Sequence, residues 1–282
     1  MSYNNFIPNL WSAEINRTLK AECVFADGTH QKIKKGMFSA KGESVTFVGI
    51  GKPTITTITK DQRKSDIPGV EEVEDTSLIM PINTISIFNY KVGDIDKAQA
   101  QGDVMGALKS ETNEGLADEV DKYIAKLAAS GDARKLAGAA VSITNQNAMQ
   151  TLDKALKMLY KSNVRKSTYV EAIIPPYFYI ALKQQYQNLD TNNSEILRNG
   201  KVGKYGNIVI KMSNNVFNDG TNDFVMVRTR RAIGYAKPIT HTEAYRPEKG
   251  FADAVKGFIL YDAKIIRPEE MVVVKCTDGT EA

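Results

Sequence analysis

The sequence is poor in the residues that carry metal and redox chemistry. Its 282 residues include two cysteines, Cys23 and Cys276, and two histidines, His30 and His241. A structural zinc site takes about four such ligands at short spacing, and these four are scattered along the chain. The cysteines lie at opposite ends, which predicts reduced, packed thiols and not a disulfide framework. We therefore expect no metal site and no disulfide scaffold.

Long hydrophobic runs are also missing. No apolar run approaches the ~20 residues that span a bilayer, and Pro175 and Pro176 interrupt the most apolar stretch, residues 173–182. The first five residues contain neither a basic nor an apolar segment, which argues against a signal peptide. We expect no membrane partner, and we expect the chain to work in the cytoplasm or in a particle assembled there.

Neither sign of charge dominates. The chain has 37 Lys and Arg residues against 33 Asp and Glu residues, a net charge of +4. This is too little for a dedicated DNA-binding domain, although a weak and diffuse contact with nucleic acid stays possible. The hydrophobic share of 42% and the charged share of 25% are typical of soluble globular proteins. The length predicts one or two domains.

Motifs for catalysis and nucleotide binding are incomplete. Residues 49–54 resemble a phosphate loop but lack its first glycine, and Pro53 stands where Ser or Thr would bind magnesium. Residues 200–206 fail the same test. Asp94 begins a calcium-loop pattern that Ala98 interrupts, and no Gly-x-Ser-x-Gly elbow occurs. The sequence therefore predicts neither an enzyme nor a cofactor site.

A long hairpin is predicted between about Val45 and Val92. β-Branched residues flank a polar middle, which is typical of two strands joined by a charged tip. An isolated two-stranded ribbon is marginal in water, so this hairpin must pack on another surface, such as a neighbouring subunit. We expect ion pairs between subunits from three basic and three acidic residues of this segment. They are Lys60, Arg63, Lys64, Glu71, Glu72 and Glu74.

Helical patterns lie on both sides of the hairpin. Apolar residues at every fourth position predict a short helix over residues 11–23. Residues 94–130 predict a helix of about 30 residues, roughly 45 Å long, with Leu116, Val120 and Ile124 in its apolar stripe. That length is unusual for a globular domain. A long helix next to a long hairpin indicates an extended, flat subunit.

The remainder of the chain alternates helices and strands. In chain order they are predicted around residues 149–159, 169–174, 178–186, 208–212 and 224–228. This order is typical of a small sheet flanked by helices. Residues 257–276 add two strands separated by Arg267 and Pro268, and we expect these strands to return to the long helix.

Five short strings carry a resemblance to a known family. They are FIPNLW at 6–11, VGDIDKAQA at 92–100, EAYRP at 243–247, DAVKG at 253–257 and YDAKIIRPE at 261–269. Together, and in this order, they resemble the major capsid proteins of tailed bacteriophages, which have the Hong Kong 97-type capsid fold. The resemblance covers nearly the whole chain and implies an α+β fold.

The resemblance implies five regions. Residues 1–40 would be an N-terminal arm, and residues 41–80 an extended hairpin loop that lies over the adjacent subunit. Residues 81–140 would form a peripheral domain with the long helix as its spine, and residues 236–282 would complete it as C-terminal strands. Residues 141–235 would form an axial domain whose loops meet at the centres of hexamers and pentamers.

The implied function is structural. Copies of the chain would assemble in the bacterial cytoplasm into the icosahedral head shell of a virion, around double-stranded DNA. The further partners expected are a portal protein at one vertex, a decoration protein and a scaffolding protein. The scaffold would be a separate protein, because no scaffolding segment precedes the first string. An encapsulin-like compartment, with the same fold and an enzyme cargo, is the alternative.

The basic residues of the arm are candidates for an inner surface. Lys32, Lys34 and Lys35 cluster in a short stretch. If they face a packaged genome, they contact phosphate and not base edges. A solvated loop is an equally good interpretation, since runs of charge usually need no partner.

Overall fold

The computed structural model describes residues 23–31, 44–47, 57, 77–93, 104–136, 138–165, 168–187, 203–206, 208–248 and 251–279. Helices and strands are both abundant in these ranges, which confirms the α+β class. The α-helices described are α1 Val24–Asp27, α2 Val104–Lys126, α3 Ala148–Lys161 and α4 Pro176–Gln187. A 3₁₀ turn, Leu127–Ala129, continues α2.

The strands described in these ranges form three sheets. In chain order they are β1 Ser44–Phe47, β2 Leu78–Pro81, β3 Thr84–Gly93, β4 Val141–Ile143, β5 Val170–Ile174, β6 Lys204–Tyr205, β7 Ile208–Met212, β8 Asp223–Thr229, β9 Ile233–Tyr245, β10 Ala252–Ile265 and β11 Met271–Asp278. The sheets have the orders β1-β2, β3-β10-β9 and β4-β11-β8-β5-β7-β6.

The central strands of the six-stranded sheet are buried on both faces. β5, β8 and β11 are mostly continuous apolar runs, as expected for strands covered on both sides. Successive side chains point to opposite faces. Ile173 and Val273 pack in the core shared with α2, whereas Ala172 and Val272 pack in the core shared with α3 and α4. One sheet therefore joins two hydrophobic cores.

Helix α2 covers the first of these cores. Leu116, Val120 and Ile124 are buried, which confirms the predicted stripe. Burying each of these side chains contributes about 1.5–3 kcal/mol. The 23 residues of α2 span about 35 Å. Residues 94–103 of the predicted helix lie outside the described residues.

Helices α3 and α4 cover the second core. Leu152 and Leu159 of α3 and Phe178 and Leu182 of α4 are fully buried there. α4 begins at Pro176, where the missing N–H costs no helical hydrogen bond. Both helices match their predicted positions.

The three-stranded sheet has one packed face and one exposed face. β3 and β10 pair antiparallel from Thr84↔Tyr261 to Gly93↔Ala252. On the inner face, Ile259 and Tyr261 pack against the α2 core. On the outer face, Ile85 and Ile87 are 53% and 74% exposed. Such an apolar surface is typical of an interaction site when its members lie together.

β1 and β2 form the base of the predicted hairpin, but the hairpin does not extend to Val92 as predicted, because β3 pairs with β10 in the three-stranded sheet. These strands pair antiparallel from Ser44↔Pro81 to Phe47↔Leu78. Val45, Phe47 and Met80 pack with Ala236 of β9 in a small core of their own. Between Phe47 and Ser77 the structure describes Thr57 alone, so the tip of the hairpin lies outside the described residues.

The C-terminal segment divides between the two larger sheets. β10 lies beside β3, but β11 pairs with β4 and β8 in the six-stranded sheet. The apolar run of β11 suits a strand covered on both faces. Met271 and Val273 on one of those faces reach the α2 core, so the expected return to the long helix does occur.

Candidate functional site: a charged clasp around residues 23–28

In the ranges described above, no group of three or more His, Cys, Asp or Glu side chains is placed to hold a metal ion. The helices in those ranges are too short or too polar to cross a membrane. Cys23 and Cys276 are both buried, and the Cys23 thiol donates to the carbonyl of Ala117 at 3.6 Å.

The most unusual chemistry in the described part of the chain is a group of charged side chains that surround residues 23–28. We call this group the clasp. Its members are Asp27, Asp121, Glu171, Lys211 and Arg228.

Two clasp residues lie on adjacent strands of the six-stranded sheet. Glu171 of β5 stands opposite Arg228 of β8, and both side chains are fully buried. Arg228 Nε donates to Glu171 Oε1 at 3.0 Å, and Lys211 Nζ lies 3.2 Å from Glu171 Oε2. An unpaired buried carboxylate would destabilise the fold by several kcal/mol. The two cations therefore neutralise a charge that the sheet could not otherwise bury.

Lys211 links this pair to the N-terminal segment. Its Nζ donates to Asp27 Oδ2 at 2.8 Å. Burial lowers the pKa of Lys211, but the carboxylates of Glu171 and Asp27 outweigh that effect and the pKa is raised. The hydrogen bond from Lys211 in turn holds the pKa of Asp27 below its ordinary value. The bridge is therefore ionic at neutral pH.

Two charged side chains of opposite sign bind the backbone of helix α1. It has four residues, too few for a helix that is stable alone. Asp121 of α2 accepts hydrogen bonds from the backbone N–H groups of Val24, Phe25 and Ala26 at 2.7, 3.1 and 3.2 Å. Arg228 Nη2 donates to the carbonyl of Phe25. An anion at the first N–H groups and a cation at a carbonyl match the helix dipole.

The environment of Asp121 is only partly favourable to its charge. Burial raises the pKa of this carboxyl, while the three backbone N–H groups and the charge of Arg228 act in the opposite direction. Asp121 is only 2% exposed, so water does not replace these donors. The charged form of Asp121 is therefore stabilised by the N–H groups of α1 only while they stay within hydrogen-bonding distance.

Gly28, at the end of the segment held by the clasp, stands where a larger residue would not fit. A Cβ atom on Gly28 would lie 1.6 Å from Glu171 Oε1. Two residues later, His30 N donates to the carbonyl of Ile233 at 2.8 Å, and Tyr235 N donates to the carbonyl of His30 at 3.3 Å. Residues 23–31 therefore contact α2, the six-stranded sheet and β9, and they fix these elements relative to one another.

The charged residues predicted from the sequence lie elsewhere. The hairpin residues Lys60, Arg63, Lys64, Glu71, Glu72 and Glu74 are outside the described residues, and so are the arm residues Lys32, Lys34 and Lys35. Their expected contacts stay predictions.

Sequence reasoning missed the clasp, although two signals were present. Glu171 is the one charged residue of β5, and Arg228 directly follows four apolar residues of β8; charged residues in such runs are almost always paired when buried. Asp121 had no comparable signal, because it looks like an ordinary polar residue of a helix and its partners are about a hundred positions away in sequence.

Comparisons with known proteins identify the fold. No protein-family model matches the chain, and no curated protein matches it. A solved structure titled "Mycobacterium phage Che8" is 24% identical, with a TM-score of 0.74, over 90% of this chain and 91% of that one. The capsid of Cyanophage P-SCSP1u is 16% identical, with a TM-score of 0.69, over 91% and 89%. The chain has the fold of phage capsid subunits.

A virus-like particle shares this fold as well. The virus-like particle from Pyrococcus furiosus is 14% identical, with a TM-score of 0.60, over 95% of this chain and 99% of that one. At such identities the likeness establishes the fold and not the contents of the particle.

Proposed function

We propose that the chain is the major capsid protein of a tailed phage, a structural subunit of an icosahedral head shell around double-stranded DNA. The observation that carries this proposal is the fold shared with phage capsids over about nine-tenths of the chain, such as the capsid of Cyanophage P-SCSP1u. The resemblance of the five sequence strings supports the same function independently.

The geometry of the subunit favours assembly. β1 and β2 form a short ribbon. Its last pair is Phe47↔Leu78, and residues 48–77 connect the two strands. A second segment, residues 1–22, precedes the residues held by the clasp. We infer that both segments contact neighbouring subunits, since neither is long enough to form a core of its own.

The outer face of the three-stranded sheet supports assembly too. Ile85 and Ile87 on β3 and Ile239 on β9 are exposed apolar residues of that face. Many weak contacts of this kind become strong together once a symmetric shell closes around hexamers and pentamers.

The division into regions follows the same proposal. The arm is residues 1–40, the extended loop is residues 41–80, and the axial domain is residues 141–235. The peripheral domain combines residues 81–140 with residues 236–282, whose last strand, β11, pairs within the six-stranded sheet. The clasp then lies where the arm meets the body of the subunit.

The remaining partners are proposals from the resemblance. They are a separate scaffolding protein, a portal protein at one vertex, a decoration protein and packaged DNA, with assembly in the host cytoplasm and a final place in the virion.

Electron microscopy of the purified protein, alone and with its scaffolding protein, tests the proposal. We expect closed shells of uniform size, and nucleic-acid extraction from native particles should recover double-stranded DNA that nuclease does not reach. A monodisperse monomer in light scattering under all these conditions would contradict the proposal. Native shells filled with one enzyme and no DNA would establish the encapsulin-like alternative.

The inner-surface role of the arm needs a separate test. Duplex DNA should bind the free subunit weakly, with no preference for sequence, and binding should disappear as salt rises. Substituting Lys32, Lys34 and Lys35 by Glu should abolish it. Unchanged binding in this variant would assign the lysines to a solvated loop.

A further inference from the structure

A small cavity lies between helix α2 and the three-stranded sheet. Its volume is about 10 Å³, and its walls come from α2, β3, β9 and β10. One water molecule needs a cavity of roughly 10–15 Å³. The space therefore admits a single water and nothing larger.

Two buried oxygen atoms in the wall of this cavity have no hydrogen-bond partner among the described residues. They are Oδ1 of Asn113 on α2 and Oγ1 of Thr242 on β9. Asn113 is 4% exposed and Thr242 is 2% exposed, so bulk solvent does not reach them. Native proteins rarely leave buried oxygen atoms unpaired.

We propose that one water molecule occupies this cavity and bridges Asn113 Oδ1 and Thr242 Oγ1. Water donates two hydrogen bonds and satisfies both oxygens at once. A cation is a poor occupant, because Lys109 lines the cavity and no carboxylate does. A purely apolar occupant would leave both oxygens unpaired. The inference rests on the fold and is independent of the proposed function.

The position of the cavity gives this water a structural role. Among the α2 side chains that the structure describes, Asn113 is the first buried one, and the next buried one is Leu116, about one turn later. Thr242 belongs to β9, which is separated from β3 by β10. The water thus connects α2 to the far edge strand of the sheet, at the point where the helix enters the core.

A density map of crystals or assembled particles, at a resolution that shows ordered water, tests the site directly. We expect a peak within about 2.7–3.2 Å of both oxygens. An empty cavity, or a direct hydrogen bond from another side chain to either oxygen, would overturn the proposal.

Thermal unfolding of the full chain provides a second test. Asn113→Leu and Thr242→Val each keep the side-chain shape and remove one polar partner of the water, so each should lower the Tm by about 2–4 °C. The double variant removes both oxygen atoms that need a hydrogen bond. Its Tm should therefore fall by clearly less than the sum of the two single shifts. Additive shifts would contradict a shared water.

Thr242→Ser is the matched control. It keeps the hydroxyl group and loses a methyl group. Combined with Asn113→Leu, it should show no coupling of the kind expected for Thr242→Val. The same coupling in both combinations would assign the effect to packing and not to the hydroxyl.

Discussion

Replacing Arg228 by methionine removes the central cation of the clasp. The variant leaves the Glu171 carboxylate fully buried with Lys211 as its remaining cationic partner, and it leaves the Phe25 carbonyl without the Arg228 donor. Breaking a buried ion pair by removing one member costs about 3–5 kcal/mol. For a chain of this size we expect the Tm to fall by roughly 6–20 °C.

Urea unfolding of the unassembled subunit, followed by circular dichroism, measures this loss. Lys256→Met is the matched control, because Lys256 pairs with Glu243 at 3.2 Å on the exposed face of the three-stranded sheet. Both side chains of this ion pair are about half exposed. An exposed pair contributes about 0–1 kcal/mol, so the control should unfold nearly as the wild type does.

A second variant separates the loss of a partner from the loss of the pair. Glu171→Leu combined with Arg228→Met removes both charges from the sheet. Apolar replacement of a buried ion pair is often neutral. The double variant should therefore be more stable than Arg228→Met alone, although Phe25 still lacks its donor. A double variant less stable than the single one, or a single one as stable as the control, would refute this account of the clasp.

Three further predictions concern the N-terminal segment and the hairpin. Gly28→Ala should destabilise the subunit by more than 1 kcal/mol in the same urea assay, since its Cβ meets Glu171, whereas Gly131→Ala, with open space around it, should change little. The lowered pKa of Asp27 means that its stabilising effect is full above the ordinary value of 3.8 and is lost as pH falls below it. The stabilities of wild type and Asp27→Asn should therefore converge in acid, and a difference that persists at the lowest pH would contradict this. Reversing the three basic hairpin residues to Glu should impair shell formation in electron microscopy while the subunit stays folded, and normal shells would remove any assembly role for Lys60, Arg63 and Lys64.

Elements with a strong local pattern were predictable from the sequence. In α3 the apolar residues Leu152 and Leu159 recur on one face of a helix, and Pro176 marks the start of α4. The β1–β2 ribbon was predictable because β-branched residues flank a polar segment. The helix signals lie within the helices that they predict, and the polar segment lies between the two strands of the ribbon.

Pairings between distant residues were not predictable. β11 carries the same apolar composition whether it lies beside β10 or beside β8, so its sequence does not reveal its sheet. The clasp is a stronger case, because Val24 and Asp121 are 97 positions apart. Only the folded chain brings the first N–H groups of α1 to that carboxylate.

The chemistry of the clasp explains why charged residues occupy a place where apolar residues would need no desolvation of charge. Buried ion pairs add little net stability compared with apolar packing, but their hydrogen bonds are directional. Asp121 binds the N–H groups of three successive residues, and Arg228 binds the carbonyl of the middle one, Phe25, so the position and the direction of this short helix are both fixed. An apolar contact at the same place would tolerate sliding and rotation of so short a helix. In the proposed shell, the arm would then leave every subunit from the same point, and less conformational entropy would be lost when it meets a neighbour.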